Sequence, residues 1–158
     1  MTTSITPFLT CDTQAEQAAT LYTSLFDGKI TDTMRYPAGG PSPEGSVLSV
    51  TFELLGQTYI ALNGGPSFSF GQGFSLMVQV DTQDEIDRLW GKLTDHGGKP
   101  VQCGWLVDEF GVSWQIVPKQ LGALLSHKDR AKAGRAMQAM MGMQKLDLAK
   151  LQAAFDGR

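Results

Sequence analysis

Two short acidic segments are the first places where this sequence could do chemistry. The pentapeptide DTQAE at residues 12–16 recurs almost unchanged as DTQDE at residues 81–85. Carboxylates placed close together can act as acid and base in a reaction. The same spacing also fits a capping box, in which a threonine hydroxyl and a glutamate carboxylate bond to backbone N–H groups at a helix start. Each copy precedes apolar residues at helical spacing, so the sequence favours two helix starts over a catalytic device.

The thiols and imidazoles of the chain are few. There are two cysteines, Cys11 and Cys103, and two histidines, His96 and His127. No CxxC pair is present, so the cysteines are expected to be reduced, small and buried, as is usual in the cytoplasm. His96 follows a helical segment and precedes two glycines, a position that favours a helix-end residue over a catalytic base.

The charge pattern excludes several classes of partner. The chain has 13 basic and 16 acidic residues, a net charge of −3, and no basic stripe. This balance argues against nucleic acid or an anionic membrane as the main partner. Neither a secretory signal nor an apolar stretch long enough to span a bilayer is visible, so a cytoplasmic location is expected.

The order of elements predicts an internal duplication. Each pentapeptide follows an apolar run with strand character, precedes a helical segment and is followed by three further strand-like segments. Both halves therefore have the pattern βαβββ. We expect an α+β fold in which two tandem βαβββ modules form a curved mixed sheet around a cleft, with C-terminal helices added. The cleft would be the default ligand site.

The predicted boundaries follow from this pattern within one overall domain. They are residues 1–63 for the first module, 64–73 for the connecting loop, 74–120 for the second module and 121–158 for a helical tail. In the tail, Ser126 and Asp129 have the spacing of another capping box, and Asp147 is placed to cap a last short helix.

Three stretches carry a family resemblance. ITPFLTCDTQAEQAATLYTSLF, EIDRLWGKL and above all CGWLVDEFGVSWQIVP resemble the PhnB-like branch of the vicinal-oxygen-chelate superfamily, which includes glyoxalases, dioxygenases and bleomycin-resistance proteins. This branch is often labelled demethylubiquinone methyltransferase-like. The resemblance is expected to extend over nearly the whole chain, including the tail.

The resemblance implies where a metal would lie. Metal-using relatives place His, Gln or Glu side chains on the first and last strands of each module. The matching positions here are Ile5 or Pro7, Ala61, Ser75 and Gln115. Divalent ions need carboxylate, imidazole or thiolate ligands, and a single amide is a weak donor. We therefore expect a cleft with no metal and no cofactor.

Strand alternation then predicts the side chains that line the cleft. They are mostly uncharged and suit an uncharged or aromatic small molecule. Trp105 could stack on such a ligand or serve only in packing. The predicted ligand-binding residues are Ala61, Asn63, Ser75, Met77, Gln79, Trp105, Ser113 and Gln115.

Three functions remain open from the sequence. The favoured one is a metal-free small-molecule-binding protein, because the predicted lining has no titratable group for acid–base catalysis. The first alternative is a glyoxalase- or dioxygenase-type lyase or oxidoreductase with a weak metal site. The second is a methyltransferase linked to ubiquinone metabolism, as the branch label suggests, although no Rossmann or P-loop motif is present. The resemblance also favours a homodimer.

Overall fold

The computed structural model describes residues 2–158 and confirms the α+β class and the duplicated βαβββ order. Among these residues, no helix is both long and apolar enough to cross a membrane. The elements are β1 (Phe8–Cys11), α1 (Ala15–Leu25), β2 (Lys29–Arg35), β3 (Val47–Leu54), β4 (Gln57–Asn63), β5 (Leu76–Val80), α2 (Gln83–Thr94), β6 (Lys99–Pro100), β7 (Trp105–Val107), β8 (Ser113–Pro118), α3 (Gln120–Leu125), α4 (Arg130–Met141) and α5 (Leu148–Asp156).

The chain forms two compact units, one ending at Ser69 and the other beginning at Phe70. The N-terminal unit contains one mixed sheet in the order β1-β4-β3-β2, in which only the β1–β4 pair is parallel. Val50 and Phe52 of β3 are buried on the face that α1 covers. The centroid of the Phe52 ring lies 6.3 Å from that of the Tyr22 ring in α1. The other face of this sheet carries no helix of its own unit.

The C-terminal unit repeats this arrangement with the strand order β5-β8-β7-β6. Helix α2 packs on β7 and β8 through its buried residues Ile86, Leu89 and Leu93. Trp114 and Ile116 of β8 are almost fully buried, as expected for side chains on the helix-covered face.

The tail forms a second core in the same unit. Leu146, Leu151 and Phe155 pack with residues of α3 and α4 and with Val117 at the end of β8. Asp147 caps α5, as predicted, by accepting a hydrogen bond from the Lys150 N–H. The predicted box from Ser126 to Asp129 is wrong, because Asp129 itself is the cap of α4.

The two pentapeptides start their helices in different ways. At α2 the predicted capping box is confirmed: the Thr82 hydroxyl accepts from the Glu85 N–H, and the Glu85 carboxylate accepts from the Thr82 N–H. At α1 the predicted box is wrong, because neither side-chain bond forms. The Ala15 N–H donates instead to the Asn63 side-chain oxygen of β4, at 2.8 Å.

Candidate functional site

The open face of the C-terminal sheet brings together most of the predicted site residues of that unit. In the register of the sheet, Gln115 lies directly between Met77 of β5 and Trp105 of β7. Directly paired residues share a face, so all three side chains stand on the face opposite α2. Met77 has 54% of its surface exposed, whereas Trp105 is half-buried.

A hydrogen bond between two predicted residues lies on this face. The Gln115 amide nitrogen donates to the Ser75 hydroxyl oxygen at 2.9 Å. Among the described residues, no donor to the Gln115 amide oxygen is present, and no acceptor for the Ser75 hydroxyl proton. The pair therefore offers one acceptor and one donor to a small molecule.

Ser113 contributes a third polar group nearby. It is paired with Val107 in the sheet, two positions before Gln115, and has only 3% of its surface exposed. Its hydroxyl oxygen is buried and has no hydrogen-bond partner among residues 2–158. A buried hydroxyl without a hydrogen-bond partner destabilises the folded state, so a ligand atom that bonds to it would stabilise the fold.

The two remaining residues of β5 and β8 on this face have different surroundings. Gln79 is exposed, as its alternation with Met77 requires. Its partner in the sheet, Val117, is 8% exposed because the tail helices pack against it. The tail therefore closes the end of the face that lies beyond Gln115.

Lys99 is a residue of this face that the sequence analysis missed. Strand β6 places it opposite Val107, which in turn lies opposite Ser113. The register therefore puts one ammonium group on the edge of a face predicted to carry no titratable side chain. A strand of two residues is too short to show an alternating pattern, so no sequence signal indicated the face on which Lys99 lies.

A buried carboxylate fixes the hairpin that carries Trp105 and Gln115. Asp108 is 3% exposed, and its Oδ1 accepts hydrogen bonds from the N–H groups of Phe110 and Val112. Its Oδ2 accepts from the Trp114 indole N–H at 2.8 Å. Asp108 thus joins the turn to the helix-covered side of β8 and holds the strand on which Gln115 lies.

The structure does not bring Ala61 and Asn63 to the open face of their sheet. Ala61 pairs with Leu9 and Val50, is completely buried and faces α1. Asn63 lies on the same side and uses its amide to bind the Ala15 N–H and the Val47 carbonyl. Contact of either residue with a ligand remains a prediction, but not across the open face.

The open face of the N-terminal sheet is instead formed by the alternate residues. Phe8 pairs with Ile60, and Thr10 pairs with Leu62. The two copies of the repeat agree on this face, since the pair Phe8 and Ile60 in the first sheet occupies the place of the pair Met77 and Gln115 in the second. A shift of one residue along a strand exchanges the two faces, which is why Ala61 was placed wrongly.

The available donors do not fit a divalent metal ion. The positions at which the resemblance implies metal ligands, Ile5 or Pro7, Ala61, Ser75 and Gln115, carry one amide, one hydroxyl and apolar groups. Residues 2–158 contain no group of three or more His, Cys, Asp or Glu side chains that could hold an ion. Stable binding of Zn²⁺ or Mn²⁺ needs several anionic or imidazole ligands.

Comparison with known proteins identifies the family. A family model described as 3-demethylubiquinone-9 3-methyltransferase matches residues 3–117. The solved PhnB protein of Bacillus cereus is 36% identical, with a TM-score of 0.67 over 73% of this chain and 99% of that chain. The chain belongs to the PhnB-like family. The predicted branch of the vicinal-oxygen-chelate superfamily is thereby confirmed.

More distant structures share the PhnB-like fold. Protein PA1353 of Pseudomonas aeruginosa is 20% identical over 74% of this chain and 98% of its own, with a TM-score of 0.60. The fosfomycin resistance protein FosX of Listeria monocytogenes, solved with Mn(II) and sulfate, is 12% identical over 73% of this chain and 91% of its own, with a TM-score of 0.53. At these identities the likeness concerns the fold alone. No curated protein matches the chain.

The family match leaves the tail out. It ends at residue 117, within β8, so the prediction that the resemblance continues through the tail is wrong. The family match therefore does not cover helices α3 to α5.

Proposed function

We propose that this PhnB-like chain binds an uncharged, aromatic small molecule without a metal, on the open face of its C-terminal sheet. The observation that carries the proposal is the hydrogen bond from Gln115 to Ser75, on a face that is not covered by α2. The Gln115 amide oxygen can accept from a hydroxyl or N–H of a ligand, and the Ser75 hydroxyl can donate to a carbonyl or ether oxygen of the same ligand. The Trp105 ring next to Gln115 supports a flat ligand.

The metal-free part of the proposal is supported by the donor set. FosX was solved with Mn(II), whereas the position here that matches a glutamate ligand of metal-using relatives carries Gln115. An amide that already donates to Ser75 offers one neutral oxygen and does not neutralise a divalent charge. An enzyme of the glyoxalase or dioxygenase type would need ligands that we do not find among the described residues.

A titration with a defined probe tests the proposal. 4-Hydroxyacetophenone carries one hydroxyl, one carbonyl and an aromatic ring, and its binding can be followed by amide and indole NMR signals. We expect shifts at Ser75, Trp105 and Gln115, and a loss of affinity of about two- to tenfold in Gln115→Ala, the size of one hydrogen bond. Gln138→Ala, an exposed glutamine of α4, is the matched control and should bind as the unaltered chain does.

The competing functions are tested on the same samples. Zn²⁺ or Mn²⁺ retained at one ion per chain after gel filtration would contradict a metal-free site and favour the enzyme alternative. Gln115→Glu should raise the affinity for Mn²⁺, because it adds the missing carboxylate. A rise in melting temperature with S-adenosylmethionine, and none with the aromatic probe, would favour the methyltransferase named in the family description.

We also propose that the chain assembles as a homodimer. Phe8 and Met34 lie on the open face of the N-terminal sheet and are 53% and 54% exposed, and such apolar surface is common where subunits meet. Sedimentation velocity at micromolar concentration should give twice the chain mass, and a single species of 17.1 kDa would contradict the proposal.

A further inference from the structure

The N-terminal unit contains a cavity of about 630 Å³ that lies apart from the open face of either sheet. It is formed at the start of α1, between the first pentapeptide, the loop after β2 and the segment that follows β4. Its lining includes Asp12, Glu16, Tyr36, Asn63 and the three prolines Pro41, Pro43 and Pro66. The volume is in the range of small-molecule sites in proteins, about 300–1,000 Å³.

The walls of this cavity are held by hydrogen bonds to the strand ends. The Tyr36 hydroxyl donates to the Asn63 carbonyl at 2.8 Å, which ties the loop side to β4. The N–H of Gly64 donates to the Cys11 carbonyl, also at 2.8 Å. The cavity is therefore formed before any ligand binds, which lowers the conformational cost of binding.

The two carboxylates of the cavity have no structural task among the described residues. In the second copy of the repeat, the Glu85 carboxylate closes the capping box of α2, and those backbone N–H groups hold its pKa below the ordinary value. Glu16 occupies the same place in the repeat but makes no such bond, and α1 is capped instead at the Ala15 N–H by the Asn63 side-chain oxygen. Asp12 likewise has no ion pair or side-chain hydrogen bond within residues 2–158.

No cation of the unit neutralises this pair. Lys29 and Arg35 are the only basic residues in the sequence up to Ser69. Lys29 pairs with Glu53, and the Arg35 guanidinium donates to the Gly45 carbonyl. The cavity thus has negative walls that attract a positive ligand and repel an anion.

We propose that this cavity binds a small organic ammonium ion. A metal ion is a poor alternative, since the described residues hold no cluster of three ligating side chains. An organic cation needs fewer charged partners, and its apolar part can lie on Val47 and the proline rings. An anion in this cavity would be repelled by the carboxylates of Asp12 and Glu16. The site is separate from the one proposed on the C-terminal sheet.

A series of probes that differ only in head group tests this proposal. Phenethylammonium, phenethyl alcohol and phenylacetate share a ring and carry a positive, neutral and negative group. NMR titration of the full chain should show shifts at Glu16, Gln17, Gly64 and Gly65 with the ammonium probe. The alcohol should bind at least about fivefold more weakly, because it loses its interaction with two carboxylates and each exposed charge pair is worth up to about fivefold, and the carboxylate should not bind. Raising the salt concentration should weaken the binding of the ammonium probe and leave that of the alcohol unchanged.

Charge-removing variants complete the test. Glu16→Gln and Asp12→Asn should each lower the affinity for phenethylammonium about three- to fivefold. The melting temperature should fall only slightly, since each loses an exposed charge near the start of α1 and no hydrogen bond. Asp32→Asn removes an exposed carboxylate of β2 outside the cavity and should leave the affinity unchanged. Equal binding of the alcohol and the ammonium probe, no loss of affinity in either cavity variant, or shifts located only at Ser75 and Gln115 would each overturn the proposal.

Discussion

At the scale of single residues, Asp108 shows how one side chain prepares a surface that it does not reach. Its carboxylate is buried and bonded to two backbone N–H groups of the turn and to the Trp114 indole. These bonds fix the direction of β8, and alternation along β8 then sets Gln115 on the opposite side of the sheet from Trp114.

Asp108→Asn should destabilise the fold by about 1–3 kcal/mol, because the new amide group would point an N–H donor at the Trp114 indole N–H. Urea unfolding followed by far-UV circular dichroism gives the free energy. In a Trp114→Phe background the same substitution should cost at least about 1 kcal/mol less, since the opposing donor is gone. An equal cost in both backgrounds would contradict a direct contact between these two groups. Asp95→Asn, an exposed carboxylate at the end of α2, is the control.

At the scale of elements, α1 and α2 begin with nearly the same five residues but are capped by different partners. Helix α2 is capped by its own Thr82 and Glu85, whereas α1 receives its acceptor from Asn63 of β4. The Asn63 cap bonds the Ala15 N–H, whose counterpart in the second copy is the Asp84 N–H, so it uses a different N–H group from those bonded in the box of α2.

This difference predicts opposite outcomes for two matched substitutions. Thr82→Ala should lower the free energy of unfolding by about 1 kcal/mol, the usual value for loss of a helix cap. Thr13→Ala, at the same place in the repeat, should change it by less than about 0.3 kcal/mol, because its hydroxyl caps nothing. Chemical denaturation of both variants provides the measurement, and similar losses in the two would contradict the observed start of α1.

The sequence predicted the helices and strands of both modules because their apolar periods of two and 3.6 are clear. It did not predict which residue of a strand faces which side where apolar residues follow one another, as Ile60, Ala61 and Leu62 do in β4. Ala61 was therefore placed on the open face and Ile60 was not. On β5 and β8, where Gln79 and Gln115 alternate with apolar residues, the predicted faces agree with the structure.

At the scale of the whole molecule, the chain consists of a family part and a tail that is fastened to the C-terminal unit. The fastening is polar as well as apolar. Gln83 of α2 donates to the Leu146 carbonyl and accepts from the Leu148 N–H. Lys145 pairs with Asp87 at 2.8 Å, and the hydrogen bond from Lys145 holds the pKa of Asp87 below its ordinary value.

Acid should loosen this attachment. Because the pKa of Asp87 is lowered in the folded chain, its contribution to stability is complete above the ordinary aspartate pKa and is lost as the pH falls through the lowered value. Hydrogen exchange of the amides at 145–148 should therefore accelerate, beyond its intrinsic pH dependence, when the pH is lowered from 6 to 3. Asp87→Asn should remove this additional change, and Asp84→Asn, an exposed neighbour on α2, should retain it. A response of equal size in Asp87→Asn would exclude Asp87 as its origin.

The sequence by itself determined the order of the elements, the duplication, the family and the weakness of the donors offered to a metal, because these depend on local periodicity and residue type. Only the tertiary structure decided that Glu85 is bound while Glu16 faces a cavity. It also decided that Asn63 caps a helix and that Lys99 stands on the open face of its sheet. The physical reason is that pairing and capping depend on groups brought close from distant parts of the chain, and two nearly identical pentapeptides meet different neighbours in the two halves.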